Sequence, residues 1–166
     1  MAMEKVLYIV RHAKSSWDSP GRPDIDRPLA ERGLKNAYDM AKRMKQRGHK
    51  TDQIISSPAN RALHTAIIFA RELQLPVYQI LINEELYMGG EDAILQIIMD
   101  TDNEVDSLMV FGHNPDFTHL ANHFPDEKIN NLPTCGLVRM VFDVPGWNDI
   151  NRGNLVDFII DFPKNK

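Results

Sequence analysis

The chain has 166 residues and a net charge of −4, with 43% hydrophobic and 25% charged residues. These values predict one globular domain spanning residues 1–166 and disfavour broad binding to nucleic acid or acidic membrane surfaces. The single cysteine, Cys135, excludes an internal disulfide. The sequence has no apolar run of membrane-spanning length, and Met1-Ala2-Met3-Glu4 lacks the apolar segment typical of a signal peptide. We therefore predict a cytoplasmic protein.

Short apolar runs typical of buried strands alternate with segments of helical spacing. The predicted strands are Val6–Val10, Gln53–Ile55, Val77–Leu81, Ser107–Phe111, Leu137–Val144 and Asn154–Phe162. Helices are predicted from Leu34 to Gly48, from a Ser57-Pro58 start to about Leu73, from Glu91 to about Met99, and after Asn114-Pro115. This order predicts an α/β fold of three layers, α/β/α, with a mostly parallel mixed sheet of about six strands.

Three predicted strand ends carry polar residues. Arg11 and His12 follow the first strand, Arg61 lies shortly after the second, and His113 and Asn114 follow the fourth. Ligands of parallel α/β sheets bind outside the carboxyl ends of the strands. Helix N-termini attract anions there, and arginine suits the geometry of phosphate oxygens. The sequence therefore predicts a pocket for a phosphoryl group.

A histidine in such a pocket is a candidate nucleophile. Neutral imidazole can attack phosphorus and carry a phosphoryl group transiently. Neighbouring arginines are expected to lower the pKa of His12, which keeps a ring nitrogen free. The same arginines would neutralise the phosphoryl oxygens in the transition state.

Four motifs resemble, in order, those of the histidine phosphatase superfamily, in the branch that includes phosphoglycerate mutases. They are Arg11-His12-Ala13-Lys14-Ser15, Asp26-Arg27-Pro28-Leu29 continuing to Gly33, Ser56-Ser57-Pro58 continuing to Arg61 and Ala66, and Gly112-His113-Asn114. The resemblance implies the phosphoglycerate mutase-like fold. It also implies that His12 is the nucleophile and that Arg11, Arg61 and His113 clamp the phosphoryl group. It implies no metal and no organic cofactor.

Within this family, the chain is most similar to the short SixA-like phosphohistidine phosphatases, which dephosphorylate histidine on phosphorelay proteins. The Arg-His-Ala-Lys-Ser form is typical of such members, and only Glu84–Asp106 separates the third and fourth predicted strands. Other branches usually insert a longer cap there. With a minimal cap, we expect an open pocket that admits a phosphohistidine displayed on a protein, although a small phosphorylated molecule could also enter.

A general acid is needed when the leaving group is poor. The family places a carboxylic acid shortly after the third strand, and its spacing to Gly89 favours Glu85, with Glu84 as the alternative. A phosphohistidine substrate would lessen this demand, because a protonated imidazole is already a good leaving group. Three further residues are candidates for contact with phosphate or substrate, namely Lys14, Ser15 and Asn114.

Three functional hypotheses remain open at this point. The first is a phosphatase acting on protein phosphohistidine through a covalent phosphohistidine intermediate. The second is a phosphomonoesterase or mutase for a small phosphorylated metabolite. The third is a scaffold that binds phosphate without turnover. A scaffold has no reason to keep His12, which favours the two enzymes.

Overall fold

A computed structural model of the protein describes residues 3–18 and 20–165. Within these residues, six strands form one sheet in the order β3-β2-β4-β1-β5-β6. The strands are β1 Glu4–Arg11, β2 Gln53–Ser56, β3 Leu81–Ile82, β4 Ser107–Gly112, β5 Leu137–Asp143 and β6 Leu155–Asp161. The helices are α1 Glu31–Gln46, α2 Asn60–Glu72, α3 Glu85–Met88, α4 Glu91–Met99 and α5 Asp116–Ala121.

The sheet is mostly parallel, as the sequence predicts. Parallel pairs join β1 to β4, β4 to β2 and β2 to β3. β5 runs antiparallel to both of its neighbours, β1 and β6. All of the strands that lead into helices therefore end at the same edge of the sheet.

Helices cover both faces of the sheet. Leu7 and Ile9 on β1 belong to a core that includes side chains of α4 and α5. Tyr8 and Val10, which alternate with them, belong to a second core with α1 and α2. A strand whose two faces are both buried needs a continuous apolar run, and Val6–Val10 is such a run. The three-layer α/β/α prediction is confirmed.

Most elements begin and end within a few residues of the predicted bounds, and α4 matches them. α1 begins at Glu31 rather than Leu34 and ends at Gln46. α2 begins at Asn60 rather than at Ser57-Pro58, because the Ser57 hydroxyl accepts a hydrogen bond from the Ala59 N–H and closes a turn ahead of the helix. α3 was not predicted.

The predicted strand Val77–Leu81 is wrong in its bounds. Val77–Gln79 forms a 3-10 turn after Pro76, and the strand is limited to Leu81–Ile82. This strand lies at the sheet edge, and β2 is its one partner among the described strands. Tyr78, on the turn, is 86% exposed. At the edge of a sheet, where a neighbouring strand is available on one side, an apolar run need not form a strand along its whole length.

The segment between β3 and β4 does not add a large cap. α4 packs into the core through Ile94 and Ile98, both fully buried. It therefore belongs to one of the two helical layers. Among the helices that the structure describes, none has the length and apolar character needed to cross a membrane.

Gly33 in α1 permits a close backbone approach by the loop that follows β1. A Cβ at this position would lie 3.0 Å from the carbonyl carbon of Lys14 and closer still to its oxygen. That carbonyl oxygen also accepts a hydrogen bond from the Ala30 N–H at 2.9 Å. The contact docks the residues after His12 onto the start of α1.

We expect Gly33→Ala to lower the free energy of unfolding by about 1–3 kcal/mol, because a backbone atom cannot move aside cheaply. Urea unfolding followed by circular dichroism would measure the change. Lys42→Ala, at an exposed position of the same helix, is the control and should leave stability within about 0.5 kcal/mol. Equal stability of the two variants would contradict the proposed steric conflict.

Candidate active site

The parallel pairing of β1 and β4 places two histidines side by side. Arg11 lies opposite Gly112 in the strand register, so His12 and His113 follow at adjacent strand ends. Their ring centroids are 5.2 Å apart. Arg61 joins them from the first turn of α2. Three separate segments of the chain thus meet at one place.

These side chains line one small cavity of about 230 Å³. The lining residues are Arg11, His12, Lys14, Ser15, Trp17, Arg27, Arg61, His113, Asn114 and Thr134. Of the predicted site residues, Glu84 and Glu85 are the two that this lining does not include. None of the described lining residues carries a carboxylate, whereas three carry guanidinium groups. The cavity is therefore suited to an anion.

The His12 ring is held in one tautomer by the residue that follows it. Nδ1 lies 2.7 Å from the carbonyl oxygen of Ala13. Since a carbonyl oxygen only accepts hydrogen bonds, Nδ1 carries the proton and Nε2 keeps its lone pair. Burial is the largest influence on the pKa of His12 and lowers it to about 4, with smaller contributions from the neighbouring arginines. The sequence predicted this direction, but from the arginines alone.

His113 is positioned by Ser57. Its Nε2 lies 2.8 Å from the Ser57 hydroxyl oxygen, which also accepts a hydrogen bond from the Ala59 N–H. The Ser57 hydroxyl can then donate its proton to Nε2 of His113. This favours the tautomer of His113 in which Nδ1 carries the ring proton. Burial, followed by the charges of His12 and Arg61, lowers the pKa of His113 to about 3. His113 is therefore neutral at pH 7.

Two buried nitrogen atoms at the cavity have no hydrogen-bond partner among the described residues. They are Nε of Arg11 and Nδ1 of His113. Arg11 is anchored through Nη1, which donates to the Leu132 carbonyl at 2.9 Å. Buried polar atoms normally have partners. Both atoms are suited to donate to the oxygens of a bound phosphoryl group.

Asp24 organises the arginines from outside the cavity lining. Its Oδ2 accepts hydrogen bonds from Arg61 Nη2 at 3.0 Å and from the Tyr87 hydroxyl at 2.7 Å. Its Oδ1 accepts from Arg27 Nη1 at 3.1 Å. The bond from Tyr87, with smaller contributions from Arg27 and Arg61, lowers the pKa of Asp24 to about 2. Asp24 is thus ionised at neutral pH and orients guanidinium groups rather than supplying a proton.

Arg27 adds a third guanidinium group to the cavity. Its Nη2 donates to the Ser15 hydroxyl, and its Nε donates to the Ser16 carbonyl at 3.3 Å. The indole of Trp17 stacks on its outer side, with Cζ 3.3 Å from the ring centroid. Arg27 is therefore held from several sides and can face an anion without rearrangement.

The three other predicted contact residues, Lys14, Ser15 and Asn114, differ in whether their side chains are available to a ligand. Lys14 is exposed at the cavity. The Ser15 hydroxyl accepts from Arg27 and retains its own proton for donation. Asn114 uses its amide N–H groups on Asn131 and Leu132, and its oxygen accepts from Thr118. Its contacts support the loop around His113 rather than reaching for a ligand.

Neither predicted general acid lines the cavity. Glu85 is the first residue of α3, and its carboxylate lies beside Gly89. Both Glu84 and Glu85 are exposed. The spacing to Gly89 predicts a carboxylate after the third strand, and the side chain that the short helix α3 presents toward Asp24 and His113 is that of Tyr87. A role for either glutamate in catalysis stays a prediction.

The site also includes residues that the sequence did not indicate as site residues, namely Asp24, Arg27, Trp17, Ser57, Tyr87 and Thr134. Arg27 lies inside a quoted motif, so the resemblance was the one signal that could have drawn attention to it. Asp24 lies in an irregular segment whose path over α2 has no periodic pattern. Predicting a contact 37 residues apart, such as the one between Asp24 and Arg61, requires the three-dimensional path of that segment.

A neutral imidazole with a free Nε2, three arginines and a second neutral imidazole at the strand ends of an α/β sheet form an arrangement suited to phosphoryl transfer. The model of the histidine phosphatase superfamily (branch 1) matches residues 7–90. An uncharacterized protein from Mycobacterium tuberculosis is 30% identical over 155 residues, covering 87% of this chain and 93% of the relative. The chain belongs to the histidine phosphatase superfamily, branch 1.

Within that family, the structure is SixA-like. SixA from Agrobacterium tumefaciens is 28% identical, with a TM-score of 0.76 and coverage of 93% of this chain and 97% of its own. The protein histidine phosphatase SixA complexed with tungstate has a TM-score of 0.79 at 23% identity, covering 96% of this chain and 98% of its own. Together with the family match, these likenesses support a phosphatase activity.

We expect His12 to titrate with a midpoint near pH 4, since burial disfavours its charged form. In ¹⁵N NMR spectra at pH 6, Nδ1 should be protonated and Nε2 unprotonated. His12→Gln would identify the signals. Because the folded-state pKa is depressed, the unfolded chain binds the extra proton, and this residue lowers stability as the pH falls from about 6.5 toward 4. A midpoint near 6.5 would contradict the buried, neutral ring.

We expect Ser57→Ala to lower kcat/KM for p-nitrophenyl phosphate by about tenfold, because His113 Nε2 loses its partner. Ser56→Ala is a matched control. Both serines are fully buried, but the Ser56 hydroxyl donates to the Ser57 carbonyl and does not contact His113. The ¹⁵N signals of His113 should change in the Ser57 variant alone. Equal losses of activity in the two variants would argue against a positioning role.

Proposed function

We propose that this chain removes phosphate from phosphohistidine on a protein substrate, with His12 as the nucleophile. The observation that carries the proposal is a neutral His12 ring with a free Nε2 in a small cationic cavity. None of the described residues lining that cavity could act as a carboxylic acid. Such a site favours a substrate whose leaving group needs no proton from the enzyme.

In the first step, the lone pair on His12 Nε2 attacks phosphorus. The bond between phosphorus and the substrate imidazole breaks, and its electron pair returns to that imidazole. The substrate ring keeps a proton on its other nitrogen, so it leaves as a neutral molecule. Arg11, Arg27 and Arg61 offset the charge on the phosphoryl oxygens during transfer.

In the second step, water attacks phosphorus and the bond to His12 Nε2 breaks. Its electron pair returns to the ring, while the protons of water pass to the released phosphate and to solvent. Through both steps Nδ1 keeps its proton. The carbonyl oxygen of Ala13, 2.7 Å from Nδ1, therefore stabilises the positive charge on the His12 ring of the phosphorylated intermediate. Once the phosphoryl group has left, the ring is again a neutral imidazole.

The size of the cavity supports a substrate displayed on another protein. Sites that enclose a drug-sized molecule usually measure roughly 300–1,000 Å³. This cavity measures about 230 Å³, enough for a phosphoryl group while most of the leaving group stays outside. A histidine side chain on a protein surface meets that condition, and the likeness to SixA agrees with it. Such an activity would reset a phosphorelay in the cytoplasm.

The test compares substrates that differ in their leaving group. A general acid contributes roughly 10²–10⁴-fold to the cleavage of a poor leaving group. We therefore expect a phosphohistidine-bearing carrier protein to react at least about 100-fold faster than sugar phosphates, in kcat/KM. A quench without acid should trap a label on His12 that is stable in base and labile in acid. His12→Ala should abolish turnover of p-nitrophenyl phosphate.

His119→Ala is the matched control, because His119 is an exposed histidine that does not line the cavity. It should keep both turnover and labelling. Faster turnover of sugar phosphates would favour the metabolite phosphatase or mutase instead. Absence of turnover with every phosphate compound would favour a binding scaffold. A label on serine would contradict the histidine intermediate.

A further inference from the structure

A larger groove adjoins the phosphoryl cavity and has no part in the chemistry described so far. It measures about 740 Å³ and lies between α1, the loop before β5 and the C-terminal segment. Its lining residues are Arg32, Lys35, Asn36, Asp39, Arg43, Pro133, Thr134, Phe162, Pro163 and Lys164. Thr134 lines both the groove and the phosphoryl cavity. The groove and the cavity are therefore adjacent.

The groove is locally positive on a chain whose net charge is −4. Its lining carries four basic side chains and one acidic side chain. Arg43 is already engaged within the protein, since it donates hydrogen bonds to Asp161 at 2.8 Å and to the carbonyl of Phe162. Lys35 and Asp39 form an exposed pair at 2.8 Å, which is a weak interaction. None of the ion pairs within residues 3–18 and 20–165 involves Arg32 or Lys164.

The backbone fixes the groove relative to His12. The Lys14 carbonyl, two residues after the nucleophile, accepts a hydrogen bond from the Ala30 N–H and lies against Gly33. Arg32 occupies the same first turn of α1. Lys14 lines the cavity, whereas Arg32 and Lys35 of α1 line the groove. An anion at the cavity and a second acidic group in the groove would each meet basic side chains.

We propose that this groove binds an acidic segment of the substrate protein next to its phosphohistidine. This inference rests on the proposed function. Carboxylates of the segment would pair with Arg32, Lys35 and Lys164. Aliphatic parts would lie on the apolar surface of Pro133, Phe162 and Pro163. The groove would select among proteins that carry phosphohistidine, whereas the cavity recognises the phosphoryl group that they all share.

Charge and size favour this occupant. A free phosphate ion would leave most of a 740 Å³ groove unfilled. A long nucleic acid would also meet the repulsion of a chain with a net charge of −4. An acidic peptide segment has a short run of negative charge, spaced along a backbone that can follow α1. That run matches Arg32 and Lys35, which lie one helical turn apart.

The test uses two synthetic phosphohistidine peptides that are identical except for their flanks, Asp and Glu in one and Asn and Gln in the other. We expect the wild type to favour the acidic peptide by about tenfold in kcat/KM at low salt, mainly through KM. The double variant Arg32→Glu/Lys35→Glu should lose this preference and keep its turnover of p-nitrophenyl phosphate. At about 1 M salt, where charges are screened, the wild type should lose it too.

Lys42→Glu/Lys45→Glu is the matched control, since it makes the same charge change at exposed positions of α1 outside the groove. It should keep the preference. Wild-type hydrolysis of both peptides at equal rates would overturn the groove proposal and leave the phosphohistidine activity standing. A preference that survives in the groove variant, or falls equally in the control, would overturn it as well. Turnover of p-nitrophenyl phosphate without turnover of either peptide would instead refute the proposed function.

Discussion

The active site depends on how the backbone of His12 is held at the end of β1. The His12 N–H donates to the Gly112 carbonyl at 3.0 Å, and the His12 carbonyl accepts from the Cys135 N–H at 3.0 Å. The residue is thus fixed between the last residue of β4 and the segment that precedes β5. The imidazole then needs one hydrogen bond, to Ala13, to have its tautomer and orientation set. Loss of the β1–β4 register would separate His12 from His113.

A second constraint is the repulsion among three guanidinium groups in a small space. One carboxylate, that of Asp24, reduces this repulsion. It pairs with Arg27 and Arg61 but does not line the cavity. The arrangement neutralises part of the positive charge and leaves other N–H groups free for a phosphoryl oxygen. It also ties the irregular segment before α1 to α2. The ion pairs of Asp24 with Arg27 and Arg61 therefore contribute both to the stability of the fold and to the binding of an anion.

The sequence predicts the parts of this molecule that follow from periodicity and strand order. The apolar run at Val6–Val10 predicts a strand buried on both faces, and the polar residues after it predict a ligand site at the carboxyl edge. Prediction fails where long-range contacts decide the outcome. Val77–Leu81 is apolar enough for a strand, but its edge position leaves most of it in a turn. The contacts of Tyr87 with Asp24 and His113 have no periodic signal either, because they depend on how the four-residue helix α3 lies against the segment before α1.

The two tryptophans of this chain lie in opposite surroundings. Trp147 is fully buried, and its indole N–H donates to the Val105 carbonyl at 2.7 Å. Trp17 is 75% exposed and stacks on Arg27 at the mouth of the cavity. We therefore expect a ligand in the cavity to leave the fluorescence of Trp147 constant and to change that of Trp17, which lies on the Arg27 guanidinium. Trp17 would then report ligand occupancy without an added label.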